Sequence, residues 1–174
     1  MNDTATNAHD VDLMSIGGDG QQYLTFMLAG EEYGVDILRV QEIKGWDNVT
    51  KIPNTPEYIR GVINLRGTIV PIIDLRLRFA LDHLDYGATT VVIVVNVLSE
   101  NKKERIMGIV VDAVSDVYNI DNADLKDAPD FGTAVDTNFL KGLTTVNEQM
   151  VILLDIDHMC NSAELKIIDS IATE

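Results

Sequence analysis

The densest set of possible ligands in the sequence is Asp155, Asp157, His158 and Cys160. A His-x-Cys pair with two acids offers nitrogen, sulfur and oxygen donors, the set a transition metal takes. The same residues have a plainer reading. Asp155 ends an apolar strand, and Met159 and Cys160 fill a core ahead of a helix. The plainer reading is the stronger, so no metal and no other cofactor is expected. His9 and His83 stand alone, His83 in a solvated connector. Asp74 and Asp112 lie near strand ends and read as turn or hydrogen-bonding residues rather than an acid/base pair. No serine elbow, phosphate-binding glycine loop or paired-cysteine motif is present. Gly17-Gly18-Asp19-Gly20 precedes any strand and is no nucleotide loop. No catalytic residue is assigned, and no enzymatic activity is expected.

Charge says more than catalysis does. The 174 residues carry 13 Lys and Arg against 28 Asp and Glu, a formal charge of −15. That argues against a nucleic-acid binder, which needs a basic footprint, and against docking on an anionic membrane. The charge is uneven. Residues 44–81 hold six cations and three acids, whereas 112–136 hold seven aspartates and one lysine. One basic and one acidic region suit two partners of opposite character, although charges also fall wherever solvent is. A single cysteine makes an internal disulfide impossible and points to a reducing compartment. The longest aliphatic run, Val91 to Val95, is too short to span a bilayer, and the N-terminus lacks the pattern of a signal peptide.

The elements that must carry these residues are mostly strands. Residues 1–20 hold four aspartates and no Lys or Arg, and read as a disordered acidic tail. Tyr23 to Leu28 and Tyr33 to Ile37 form a hairpin around Ala29-Gly30-Glu31-Glu32. Leu38 to Ile43 fits either a strand or a helical turn. A short helix is predicted at Pro56 to Arg60. Gly61 to Leu65 and Thr68 to Leu75 make a second hairpin around Arg66-Gly67, followed by a helical turn over 76–81. Then come strands at Thr89 to Leu98 and Ile106 to Val114 and an acidic loop over 121–136. A hairpin at Phe139 to Val146 and Gln149 to Ile156 follows. An amphipathic helix is predicted from Ser162 to Thr173.

The two halves repeat. Gly34 to Ile43 lies on Gly108 to Val117 at an offset of 74, and Gly61 to Leu75 lies on Gly142 to Ile156 at an offset of 81. The fold class is therefore mostly β: two five-stranded units, packed as small barrels, with short helices and a C-terminal helix. One larger sandwich is the alternative. The division expected is 21–84 and 85–174, with exchange of strands between the two allowed. The repeat also singles out Arg66. Gly67 supplies a backbone that a tight turn needs, while the second half makes its turn from Asn147-Glu148, so turn geometry does not require the arginine.

The run VDILRVQEIKGWDNVTKIPNTPEYIRGVINLRGTIVPIIDLRLRF closely resembles the CheW family, and TTVVIVVNVLSENKKERIMGIVVDAVSDVYNI fits it as well. The resemblance covers roughly residues 21–170, and its NLRG-x-I-V-P-I-x-D-L block is quite specific. It implies two five-stranded SH3-like barrels with a shared core, and no catalysis. It implies a cytoplasmic adaptor that couples the cytoplasmic tip of chemoreceptors to the regulatory domain of the chemotaxis histidine kinase. In membrane-attached arrays it alternates in rings with that domain. A scaffold for another sensory array is the nearest alternative, and a small-ligand or metal-binding barrel the remote one. Carried over residue by residue, the resemblance assigns receptor contacts to Val40, Glu42, Arg60, Gly61, Arg66 and Gly67, the last two within Asn64-Leu65-Arg66-Gly67. It assigns kinase or ring contacts to Phe131 and Val91. Val40 and Val91 also suit a plain core, Gly61 a purely backbone role, Glu42 a solvated acid, and Phe131 a local plug. Glu42 is expected to hold Arg66 in an exposed ion pair.

Overall fold

The computed structural model describes residues 20–99, 103–127 and 139–160. Of the expected tail only Gly20 falls within this range. Phe131 and the helix expected over 162–173 lie outside the described residues.

The strands are β1 (Gly20–Leu28), β2 (Glu31–Asp36), β3 (Val40–Gly45), β4 (Ile59–Leu65), β5 (Thr68–Asp74), β6 (Val91–Leu98), β7 (Glu104–Val111), β8 (Ala113–Asp121), β9 (Leu140–Val146) and β10 (Gln149–Leu154). Two single helical turns follow β5 and β10: α1 (Leu75–Arg78) and α2 (Ile156–Met159). The strands form two five-stranded sheets, β8-β1-β2-β10-β9 and β3-β6-β7-β5-β4. Each has one parallel joint, β2 with β10 and β7 with β5. The remaining neighbours are antiparallel. Isolated bridges Thr50–Val62 and Lys126–Leu143 bring the chain that leaves β3 and β8 back onto β4 and β9, at the far edge of its own sheet.

The repeat read from the sequence is a repeat of structure. Gly34 pairs with Leu153 across one parallel joint and Gly108 with Ile72 across the other, which are equivalent positions at both offsets. Each glycine leaves room for the aliphatic residue opposite. A Cβ on Gly34 would stand 2.8 Å from Leu153 Cδ2, and one on Gly108 would stand 2.6 Å from Ile72 Cδ1. The single helical turns repeat as well. Asp74 accepts from the Leu77 amide (3.3 Å) and Asp155 from the His158 amide (3.0 Å), each capping its turn. Three two-residue hairpins, Ala29-Gly30, Arg66-Gly67 and Asn147-Glu148, place both residues at positive φ, the geometry that matches strand twist.

A cut at residues 84/85 runs through both sheets. The hairpin β1–β2 joins β8, β9 and β10, and β6–β7 joins β3, β4 and β5. Each sheet is thus built from two strands of one half and three of the other. The core explains why such exchange is stable. Alternate residues of β6 face opposite ways: Val92 and Val94 enter a core inside the second sheet, while Ile93, Val95 and Val97 enter one shared with Leu24, Phe26, Leu28 and Val35 of the first. A strand buried on both faces reads as an unbroken aliphatic run, as Val91 to Val95 does.

Three local expectations are corrected. Pro56 to Arg60 forms a turn, not a helix, because Ile59 pairs with Ile73 and buries itself in the shared core. Leu38 to Ile43 is neither option alone. Asp36 caps a 3₁₀ turn at Ile37–Arg39, and β3 follows. The strand expected to run to Val114 breaks at Asp112, where the chain crosses between sheets into β8, which the sequence reading omitted. Ser115, Asp116 and Asn119 make β8 look like a loop. Its pairing with β1 and two hydrogen bonds between Asp116 and the buried Thr25 hydroxyl (3.1 Å each) make it a strand.

Candidate functional site

Arg66 stands at the tip of the β4–β5 hairpin with φ 51°, and its neighbour Gly67 has φ 90°. Asn64 fixes the turn by accepting from the Gly67 amide through Oδ1 at 2.8 Å. From this tip Arg66 Nη2 reaches Glu42 Oε1 on β3 at 2.5 Å. The expected ion pair is formed. A register shift between Val40 and Glu42 interrupts the β3–β6 ladder beside it, a device that re-aims a side chain. The Arg66 side chain remains 67% exposed and Glu42 29%. The pair links β3, one edge of the second sheet, to the hairpin at the other edge, and it leaves guanidinium donors facing solvent.

Arg60 and Gly61 lie at the opposite end of β4, six residues or roughly 20 Å from Arg66. Gly61 is a backbone requirement: it has φ 141°, and a Cβ there would stand 2.3 Å from the Thr50 carbonyl oxygen. Its absent side chain lets Thr50 and Val62 exchange two 2.9 Å hydrogen bonds. Arg60 sits over the Tyr86 ring at 5.7 Å, and Trp46 packs against the same ring at 4.2 Å between centroids. The Tyr86 hydroxyl donates to Asp74 Oδ2 at 2.5 Å. Burial, together with this bond and the Asp74 charge, pushes the phenol well above its ordinary range.

The remaining assignments separate. Val40 and Val91 are half-buried and pack on the shared core. They sit at opposite ends of the β3–β6 ladder, Val40 against Val95 and Val91 against Gly45. The structure therefore brings Glu42, Arg66 and Gly67 into one locus and Arg60 and Gly61 into another.

The candidate metal set is spent on structure. Asp155 caps α2, and Asp157 holds Arg39 with two hydrogen bonds of 2.7 and 2.6 Å while accepting from the Leu98 amide at 2.8 Å. Cys160 is fully buried, and burial pushes its thiol up to about 12. Among the described residues no three His, Cys, Asp or Glu side chains gather as a metal site.

Sequence reasoning missed the Trp46–Tyr86–Arg60 stack and two bidentate ion pairs. Besides Arg39–Asp157 there is Arg76–Asp112, with Nε to Oδ1 at 2.9 Å and Nη2 to Oδ2 at 2.8 Å. Burial alone would raise the Asp112 carboxyl. Hydrogen bonds from Arg76 and from the Ala29 amide outweigh it and hold the group below the usual range. The repeat offered a signal: Arg76 and Asp157 each stand two residues after a capping aspartate.

Comparison with known proteins gives these features a setting. A family model described as CheW-like domain matches residues 22–164. The chemotaxis protein CheW of Klebsiella aerogenes is 49% identical over 153 residues, spanning 88% of this chain and 89% of that protein. The chemotaxis protein CheW of Rhizobium meliloti is 33% identical over 145 residues, 83% of this chain and 90% of that one. The crystal structure of the scaffolding protein TtCheW from Thermoanaerobacter tengcongensis superposes with a TM-score of 0.73. It is 34% identical and covers 83% of this chain and 94% of its own. The two five-stranded units are accordingly SH3-like, as expected. With nearly all of its described strands inside the matched span, and the NLRG hairpin carrying its most exposed guanidinium, the chain belongs to the CheW family of chemotaxis proteins.

Proposed function

We propose that this chain is a non-enzymatic adaptor that couples the cytoplasmic tips of chemoreceptors to the regulatory domain of the chemotaxis histidine kinase. On this reading it works in the cytoplasm, at the inner face of the membrane, within receptor arrays. The observation that carries the reading is the Arg66–Glu42 pair. It holds a guanidinium rigidly but openly at a turn whose geometry does not need it, as a docking residue should be held. Ile43 and Ile69, one and three residues along the chain from Glu42 and Arg66, are also exposed and add apolar area to this end of the sheet. Val40, Glu42, Arg66 and Gly67 form the primary receptor contact, and Arg60 extends it from the far end of β4. Gly61 serves that contact through the backbone. Phe131 and Val91 are assigned to the kinase or a ring neighbour.

The test is reconstitution. The chain is mixed with receptor tip fragments and the kinase, and kinase activity is measured with and without receptor. Receptor-dependent control by the native chain, lost on Arg66→Ala at unchanged folding, supports the reading. A kinase that ignores the native chain sinks it. A variant that couples normally moves the receptor contact elsewhere. Phe131→Ala is expected to weaken array assembly with less than about 1 kcal/mol lost in stability. A large drop in Tm would assign Phe131 to the fold instead.

A further inference from the structure

The chain crosses between sheets twice, at Ile37–Arg39 from β2 to β3 and at Asp112 from β7 to β8. A single helical turn meets each crossing. Arg76 of α1 holds Asp112, and Asp157 of α2 holds Arg39. Arg76 and Asp157 are equivalent at the offset of 81, and Arg39 and Asp112 differ by 73, one short of the offset of that block. The two joints are therefore the same joint with its charges inverted. As a result both arginines, Arg39 and Arg76, come from the first half, and both aspartates, Asp112 and Asp157, from the second.

The strand register at these joints is degenerate. Each hairpin offers a glycine, Gly34 or Gly108, and each receiving strand offers an aliphatic residue, Leu153 or Ile72, in one common register. By packing alone β1–β2 could as well join β5 of its own half. Charge tells the two pairings apart. When the halves exchange hairpins, arginine meets aspartate at both crossings. Were each half to keep its own hairpin, Arg39 would face Arg76 and Asp112 would face Asp157. Like charges in partly buried positions cost what the native pairs gain, so the discrimination is counted twice. The side chains are shielded enough for this to count, at 16% and 23% exposure in one pair and 30% and 29% in the other.

We infer that the inverted pairs Arg39–Asp157 and Arg76–Asp112 select the exchanged pairing of hairpins over the self-contained one. They act as a device against the wrong fold rather than as general glue.

The test uses the full chain, refolded from urea. The double variant Arg39→Asp/Asp157→Arg keeps an ion pair at each native joint. It gives each half one charge of each sign, so the self-contained pairing becomes attractive too. The quadruple variant, with Arg76→Asp and Asp112→Arg added, gives the first half two acids and the second two arginines, which restores the discrimination. Each folded topology has its own set of amide signals in a proton–nitrogen spectrum. The native chain and the quadruple variant are expected to show one set. The double variant is expected to show a second set at about a tenth or more of the total. The other double variant, Arg76→Asp/Asp112→Arg, should also show a second set, which repeats the test at the other joint even if the quadruple variant fails to fold. Urea midpoints keep stability apart from selection. The quadruple variant loses the amide contacts of both Asp157 and Asp112, with Leu98 and Ala29, and should unfold earliest while refolding most cleanly. A single set of signals in both double variants, or purity that simply follows the urea midpoint, overturns the inference.

Discussion

At the tip of the β4–β5 hairpin stands Arg66, bonded to Glu42; at the equivalent position of the β9–β10 tip stands Asn147, and the equivalent of Glu42 is Asp116. One unit has an ion pair where the other has an amide and an acid. Yet both turns adopt the same positive-φ backbone, Arg66 at 51° and Asn147 at 52°. A side chain at such φ is disfavoured relative to glycine by roughly 1–2 kcal/mol, least for asparagine, so Asn147 suits its turn whereas Arg66 is not chosen for it. Other positions do not vary between the units. Gly34 and Gly108, Gly61 and Gly142, Asp74 and Asp155 keep both type and task. What the two units share is required by each barrel; a residue that differs between them, as Arg66 does from Asn147, is not.

The comparison can be broken most forcefully at the shared glycines. Gly61→Ala must relieve a 2.3 Å clash with a backbone oxygen at φ 141°, whereas Gly142→Ala meets the Lys126 carbonyl at 3.0 Å without positive φ. Urea unfolding should show a loss of about 3 kcal/mol for the first and about 1 kcal/mol for the second. Equal losses would mean the second unit is as tightly closed as the first.

The capping aspartates sharpen it next. Asp74 is 2% exposed and holds Tyr86 as well as its helical turn, while Asp155 is half-buried and holds a turn alone. Asp74→Ala should cost about 2–3 kcal/mol and Asp155→Ala about 1 kcal/mol, read as shifts in urea midpoint. The indole of Trp46, against Tyr86, should change its fluorescence in the first variant only.

A smaller effect is set by pH. The folded state holds the Asp112 carboxyl below its unfolded value of about 3.9, so this group stabilises the fold above that pH. The contribution fades as pH falls through the lower, folded value. Asp112→Asn should therefore be less stable than the native chain at neutral pH, and the gap should narrow in strong acid. A gap that persists unchanged through the acid limb would assign the loss to shape rather than charge.

The smallest stability effects belong to the residues proposed to matter most for coupling. Arg66→Ala should change stability by less than about 1 kcal/mol, and the difference should shrink in high salt. Glu148→Ala should change neither stability nor kinase coupling. Arg66→Gly, which relieves the positive φ, should lose coupling while its Tm holds or rises slightly.

Periodicity made most strands legible, because a half-buried or doubly buried strand advertises its faces. Tyr23 to Leu28 and Val91 to Val95 needed no tertiary knowledge. β8 was illegible for the opposite reason: an edge strand with Ser115, Asp116 and Asn119 carries no apolar signature, and β1, some ninety residues earlier, decides it. The turn at Pro56 followed local propensity until Ile59 found Ile73. At the candidate site Arg66 could be read because the repeat supplied an internal control, the Asn147-Glu148 turn. Tyr86 could not be read, since its partners Asp74, Arg60 and Trp46 meet only in the folded chain.

Exchange of hairpins also sets a schedule for synthesis. When β6 and β7 leave the ribosome, β3, β4 and β5 already exist, so the second sheet, with Arg66 and Glu42, can close at once. The hairpin β1–β2 is made first and served last, since its neighbours are β8 and β10. Between Asp36 and Leu154 a ribosome working at about 5–20 residues/s needs roughly 6–24 s. Until β8 and then β10 follow, Tyr23, Phe26, Leu28 and Val35, all buried in the finished molecule, lack the sheet they finally join. The N-terminal hairpin is thus where the nascent chain is most open to chaperones and to wrong strands, and the acids Glu31 and Glu32 at its turn are well placed to discourage the latter.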